Sequence, residues 1–199
     1  MIKPDEIIIK AVAHWNRYIF NPSWIDKFIV KKLFPEIKDI AISGNIMERD
    51  FIYEFNKISL IPKANLLEIR LNQDGLLDED FEKRINLLFL TFMEILNLLP
   101  HTPVTAIGIN IDYFLNKDKK CGLLNIFETN SQNKFEKFDL TQMRLSKTEE
   151  NYILNLILIL ESNKVKANFN YHFNPPFNFE NINILNLIEL CNNYLAKQL

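Results

Sequence analysis

A long run of apolar residues at helical spacing dominates the middle of the chain. Between residues 78 and 99 the apolar positions recur at intervals of four and three, the period of one helix face. They are Phe81, Ile85, Leu88, Phe92, Ile95 and Leu99. Acidic residues at 78–80 suit the positive end of a helix dipole, and Pro100 ends the segment. The pattern predicts one long helix with Leu88 and Phe92 fully buried.

After Pro103 the period of the pattern changes from helical spacing to two. Every second residue from 105 to 113 is predicted to face the core: Thr105, Ile107, Ile109, Ile111 and Tyr113. The opposite side begins with small residues and ends with polar ones, among them Gly108, Asn110 and Asp112. This alternation is typical of a strand with one buried side.

Similar alternation predicts further strands in both halves of the chain. They fall at 6–15, 40–47, 51–60, 67–71 and 138–145. The apolar stretch 152–160 and its return at 165–173 predict a β-hairpin. The alternative for residues 150–161 is a helix capped by Thr148. Helical spacing also predicts an N-terminal helix capped by Ser23 and a C-terminal helix from Ile184 to Leu195.

This order of elements predicts an α+β protein. We expect the sheet to be largely antiparallel, and a mixed sheet is the alternative. The long central helix, the N-terminal helix and the C-terminal helix are expected to pack on this sheet. The 199 residues fit a single domain. The charged loop at 116–120 is the best candidate for a subdivision, and no internal repeat is visible in the sequence.

Composition and charge limit the binding partners and the cellular compartment that we expect for this protein. The formal charge is −2 and the pI about 6.0, so nothing draws the chain toward nucleic acid. Polar residues interrupt the long helix, which argues against a membrane span of about 20 apolar residues. Acidic residues stand at 5 and 6, where a secretory signal would be apolar. With Cys121 and Cys191 in no metal or redox motif, we expect free thiols in the cytoplasm.

The motifs of the common enzyme classes are absent from the sequence. There is no phosphate-binding loop, dinucleotide glycine fingerprint, paired-histidine zinc motif or nucleophile elbow. We therefore expect no metal and no cofactor, and the absence argues more against an enzyme than for one. The leading hypothesis is a non-enzymatic cytoplasmic interaction protein that associates with itself or with another protein, because strands apolar on both sides would leave an apolar patch.

A second hypothesis places small-molecule binding or catalysis on a polar sheet face. His172 alternates with apolar residues on the last strand, as Asp112 does on the earlier one. If these strands pair, a carboxylate beside an imidazole orients it and raises its pKa, as in a general base. His172 and Asp112 are then the catalytic candidates, and Asn110 and Asn170 the ligand-binding ones. The other interpretation is a solvated sheet face.

Overall fold

A computed structural model describes residues 2–45, 50–72, 78–116, 142–160 and 164–197. Residues 117–120 of the predicted boundary, Cys121, and residues 138–141 of a predicted strand lie outside these ranges.

The described residues form nine strands and several helices. The strands are β1 (Glu6–Val12), β2 (Ala41–Asn45), β3 (Asp50–Phe55), β4 (Ile58–Pro62), β5 (Leu66–Asn72), β6 (Ala106–Asn116), β7 (Gln142–Thr148), β8 (Ile153–Leu160) and β9 (Lys164–Phe173). The helices are α1 (Pro22–Ile25), continued by a π-helical turn (Asp26–Val30) into α2 (Lys31–Leu33), then α3 (Asp78–Leu98) and α4 (Ile184–Ala196). A 3₁₀ turn, Phe179–Asn181, precedes α4.

All nine strands belong to one sheet in the order β2-β3-β4-β5-β1-β6-β9-β8-β7. Each pair of neighbours is antiparallel. The predicted α+β class with a large antiparallel sheet is therefore confirmed, and the mixed-sheet alternative is wrong.

The connectivity contains two similar units that the sequence did not reveal. In the first, a meander of β2 to β5 closes onto β1 and is followed by α3. In the second, a meander of β7 to β9 closes onto β6 and is followed by α4. Strands β1 and β6 pair at the centre, so one continuous sheet joins both units.

One side of the sheet and the helices form the core. Tyr53 on β3 donates a 2.5 Å hydrogen bond to the carbonyl of Phe20, just before α1. At the other end, Tyr194 of α4 meets the ring of Phe169 on β9 edge to face. Leu88 and Phe92 of α3 are 0% and 1% exposed, which confirms their predicted burial.

Three local predictions are settled by the strand and cap positions. Residues 51–60 are a hairpin of β3 and β4 rather than one strand, turning through Asn56 and Lys57 at φ 47° and 62°. The 153–173 hairpin is confirmed, and its helical alternative is wrong. Asn21, and not Ser23, caps α1, since its side chain accepts from the Trp24 amide.

Across the described ranges, no helix combines the length and apolarity that a membrane crossing needs.

Candidate functional site

The side of the sheet opposite the core is mostly polar, and we call it the polar side. The strand register aligns residues from neighbouring strands there, because paired residues point to the same side. One row across the sheet consists of Ser146, Asn155, Asn170, Asn110, Ile8 and Arg70. The side-chain amides in this row lie on three adjacent strands.

Asn110, Asn170 and Asn155 bond to one another across β6, β9 and β8, forming an asparagine ladder. Asn170 Nδ2 donates to Asn110 Oδ1 at 2.8 Å, and Asn155 Nδ2 donates to Asn170 Oδ1 at 3.3 Å. Asn155 Oδ1 also accepts from Ser146 Oγ at 2.7 Å and from Arg144 Nη2 at 3.0 Å. The ladder therefore satisfies most of its own hydrogen-bonding groups.

Gly108 lies beside the ladder. A Cβ at this position would lie 3.4 Å from Asn170 Nδ2, at the close end of ordinary van der Waals contact. Asn110, only 8% exposed, keeps a buried Nδ2 that has no hydrogen-bond partner. That atom is too deeply covered to meet a ligand directly.

Two buried carboxylates on the polar side are also held by their neighbours. Glu68 accepts from Lys63 at 2.8 Å and from Arg70 at 2.9 Å. Burial alone would raise the pKa of Glu68, but hydrogen bonds from Lys63 and Arg70 and the charges of Arg70 and Lys10 lower it below its usual value. Asp112 is paired with Lys166 at 2.7 Å.

The four predicted site residues all lie on the polar side, but they are not arranged as a catalytic pair. Asp112 stands opposite Asn168, from which it accepts a hydrogen bond, and His172 stands opposite Gly108. Four residues of strand separate these positions, roughly 13 Å at the usual rise. His172 Nε2 lies 3.1 Å from Asn174 Oδ1 instead. The structure thus brings Asn110 and Asn170 together and leaves His172 apart from Asp112.

Two concave surfaces of the described residues lie elsewhere, at the β7–β8 end of the sheet. The first is a cleft of about 520 Å³ between the β7–β8 turn and the segment that follows β9; we call it the turn cleft. It is lined by Thr148, Glu149, Glu150, Asn151, Tyr152, Ile153, Phe173, Asn174, Pro175, Pro176, Phe177, Asn178, Asn181, Ile182 and Leu187.

The second concavity is a groove of about 380 Å³ between strands β7 to β9 and helix α4, which we call the helix groove; it is mostly apolar, and Lys147, Glu149 and Lys197 also line it. Its lining includes two exposed leucines, Leu145 on β7 and Leu190 on α4, at 41% and 49% exposure. Leu154, Leu156, Tyr171 and Tyr194 form much of its floor and wall.

Sequence reasoning missed both concavities because their walls come from segments that are distant in the chain. The only local signals were the Glu149–Glu150 pair and the break in regular structure at residues 174–177. Within the described ranges, no group of three or more His, Cys, Asp or Glu residues could hold a metal ion.

Comparison with known proteins supplies no function. No protein-family model matches the chain, and no curated protein has significant sequence similarity to it.

Proposed function

We propose that this protein is a cytoplasmic, non-enzymatic interaction protein that forms a homodimer through edge strand β7 and the helix groove. The observation that carries this proposal is the pair of exposed leucines, Leu145 and Leu190, beside the outer edge of the sheet. Solvent-exposed apolar side chains that line one groove are typical of a binding surface.

The backbone of β7 supports pairing with another strand. It is the last strand in the sheet order, and in the described part of the chain β8 is its one strand neighbour. Six of its seven residues are exposed. An edge strand of this kind presents unpaired N–H and C=O groups that a second strand can satisfy.

The charges on β7 do not oppose self-pairing. Arg144 donates to Asn155, and Lys147 lies 2.5 Å from Glu149, so both cations already have partners within the chain. Antiparallel pairing of two β7 strands centred on Leu145 would place Arg144 opposite Ser146 and Lys147 opposite Met143. No like charges would stand directly opposite each other, which favours this register.

The same register would bring apolar groups together on the core side. Leu145 points to that side, because it is paired with Leu156, which is in turn paired with Phe169. Two Leu145 side chains would then meet at the dyad, next to the two helix grooves. Such an arrangement is isologous, as most homodimers are.

Light scattering on a sizing column at micromolar concentration tests the dimer. The expected mass is about twice the chain's 23.5 kDa. Leu190→Lys should shift the protein toward monomer because it replaces an exposed apolar contact of the groove with a charge. Leu90→Lys is the matched control, since Leu90 is a helical leucine of 50% exposure on α3. A wild-type monomer, or equal dissociation by both variants, would contradict the proposal.

A disulfide tests the register. In a Cys121→Ser background, Leu145→Cys would place two thiols at directly opposite positions, where Cα atoms lie about 4.5–5.5 Å apart. Mild oxidation should link the subunits, whereas Leu90→Cys in the same background should stay unlinked. Linking of both variants at the same rate would indicate random collision rather than pairing.

The alternative, a small-molecule enzyme or binder on the polar side, has less support. His172 is bonded to Asn174 and Asp112 to Asn168 and Lys166. The ladder amides are bonded to each other. We therefore favour a structural role for this network.

A further inference from the structure

The turn cleft has the size and floor of a small-molecule site. Its volume of about 520 Å³ falls inside the usual range of about 300–1,000 Å³ for ligand pockets. Phe173, Ile182 and Leu187 are buried beneath it. Tyr152 and Phe177, both half-buried, add aromatic surface to the lining. A ligand could therefore contact both apolar and aromatic groups there.

The charged groups in the lining of the cleft favour a cation, and its asparagine oxygens can also accept hydrogen bonds. Its described lining includes two carboxylates and four asparagine amides, and it includes no Lys, Arg or His. Lys147 partly neutralises Glu149 from outside the cleft. Glu150, in contrast, is exposed and has no ion-pair partner among the described residues. The cleft thus carries net negative charge beside aromatic rings.

We propose that the turn cleft binds a small organic ammonium ion, with the Tyr152 and Phe177 rings against the cation and Glu150 balancing its charge. Aromatic faces attract ammonium groups through the ring quadrupole, and this attraction strengthens when the cation is partly desolvated. An apolar floor suits the alkyl groups that an organic ammonium carries and that an inorganic cation lacks. This chemistry favours the organic ion over a metal ion.

The variants that test this proposal are separate from the proposed dimer interface. The turn cleft and the helix groove share Glu149 and Tyr152, but Glu150 and Phe177 line only the turn cleft. Substitutions at these two positions should therefore change ammonium binding and leave the mass in solution unchanged.

Titration calorimetry with two probes of the same shape tests the ligand class. Choline carries the ammonium charge, and 3,3-dimethylbutan-1-ol is its neutral isostere. We expect choline to bind at least tenfold more tightly than the alcohol. Equal affinities would show a merely apolar cleft, and no heat from choline up to 20 mM would show no ammonium site; either result would overturn the proposal.

Matched variants locate the site. Glu150→Gln and Phe177→Leu should each weaken choline binding about three- to tenfold, the range expected for losing one cation contact. Glu189→Gln is the control, because Glu189 is an exposed carboxylate on α4 outside the cleft lining. Choline binding that is unaffected by Glu150→Gln, or reduced as much by Glu189→Gln, would overturn the assignment. Glu150 is exposed, so its variant should fold even if Phe177→Leu does not.

Discussion

The side-chain amide of Asn170 donates a 2.8 Å hydrogen bond to Asn110, joining strands β9 and β6 on the polar side of the sheet. Asn155 extends this link to β8 and accepts two further bonds, from Ser146 and Arg144. Amides in such a row stabilise the sheet only while their partners are present, since an unpaired buried polar group costs about 1–3 kcal/mol.

The three asparagines should therefore differ in their contribution to stability. Asn155→Ala removes three hydrogen bonds and should lower the free energy of unfolding by about 2 kcal/mol. Asn110→Ala removes one bond, and also deletes a buried Nδ2 that has no partner, so it should cost about half as much. Urea denaturation of both variants measures the difference. Equal costs, or a larger cost at Asn110, would contradict the ladder's hydrogen-bond pattern.

Glu68 should make the protein's stability depend on pH under acidic conditions. Its pKa in the folded protein is lowered from a usual value of 4.5, so the unfolded chain binds a proton more readily. The contribution of the ionised group is thus complete above about pH 4.5 and is lost as the pH falls through the folded-state pKa.

Glu68→Gln tests this dependence. Glutamine keeps one acceptor oxygen, replaces the other with an NH2 group that cannot accept from Lys63 or Arg70, and removes the charge. Urea unfolding from pH 3 to pH 7 should show the largest stability difference between wild type and variant at neutral pH, shrinking toward pH 3. A difference that stays constant across this range would show that the carboxylate is not preferentially stabilised in the folded state.

The β3–β4 turn holds Lys57 in a backbone conformation that lysine does not favour. Lys57 adopts a φ of 62°, in the left-handed region, where a side chain costs about 1 kcal/mol relative to glycine. Lys57→Gly gives Asn-Gly, the preferred pair of a two-residue hairpin turn. It should raise the melting temperature by about 2–4 °C, whereas Lys57→Val should lower it. Calorimetry measures the melting temperatures of both variants. A loss of stability in both would contradict the assigned turn.

The same turn explains where sequence reasoning failed. Asn56-Lys57 lacks the glycine that marks most tight hairpins, so β3 and β4 read as one continuous strand. The long helix and the 153–173 hairpin were predictable because their apolar residues repeat over many positions.

The candidate site was only partly predictable from the sequence. Alternation on β6 and β9 placed Asn110, Asp112, Asn170 and His172 on one side of the sheet, but alternation does not fix the register. The register sets Asp112 opposite Asn168 and so separates it from His172. The helix groove depends on how α4 lies against β7 and β8, which no local pattern encodes.

The centre of α3 should be highly sensitive to truncation. Leu88 is fully buried, and Leu88→Ala should cost about 2–5 kcal/mol through lost burial and the cavity left behind. Lys83 is exposed on the same helix, and Lys83→Ala should change stability by less than about 0.5 kcal/mol. Urea denaturation of both variants is the measurement. Similar losses from both would be inconsistent with the observed helix face.

Cys191 should be chemically inert in the folded protein. Its side chain is buried on α4, with its Sγ 3.2 Å from the Tyr171 hydroxyl. Burial raises the pKa of this thiol to about 12, although the hydrogen bond with Tyr171 opposes the shift. Because the thiolate is the reactive form, almost none is present at pH 8. In a Cys121→Ser background, Ellman's reagent should therefore label no thiol at pH 8 until urea unfolds the chain, and should then label one. Rapid labelling of the native variant at the rate of an exposed thiol would mean that α4 opens readily from the sheet.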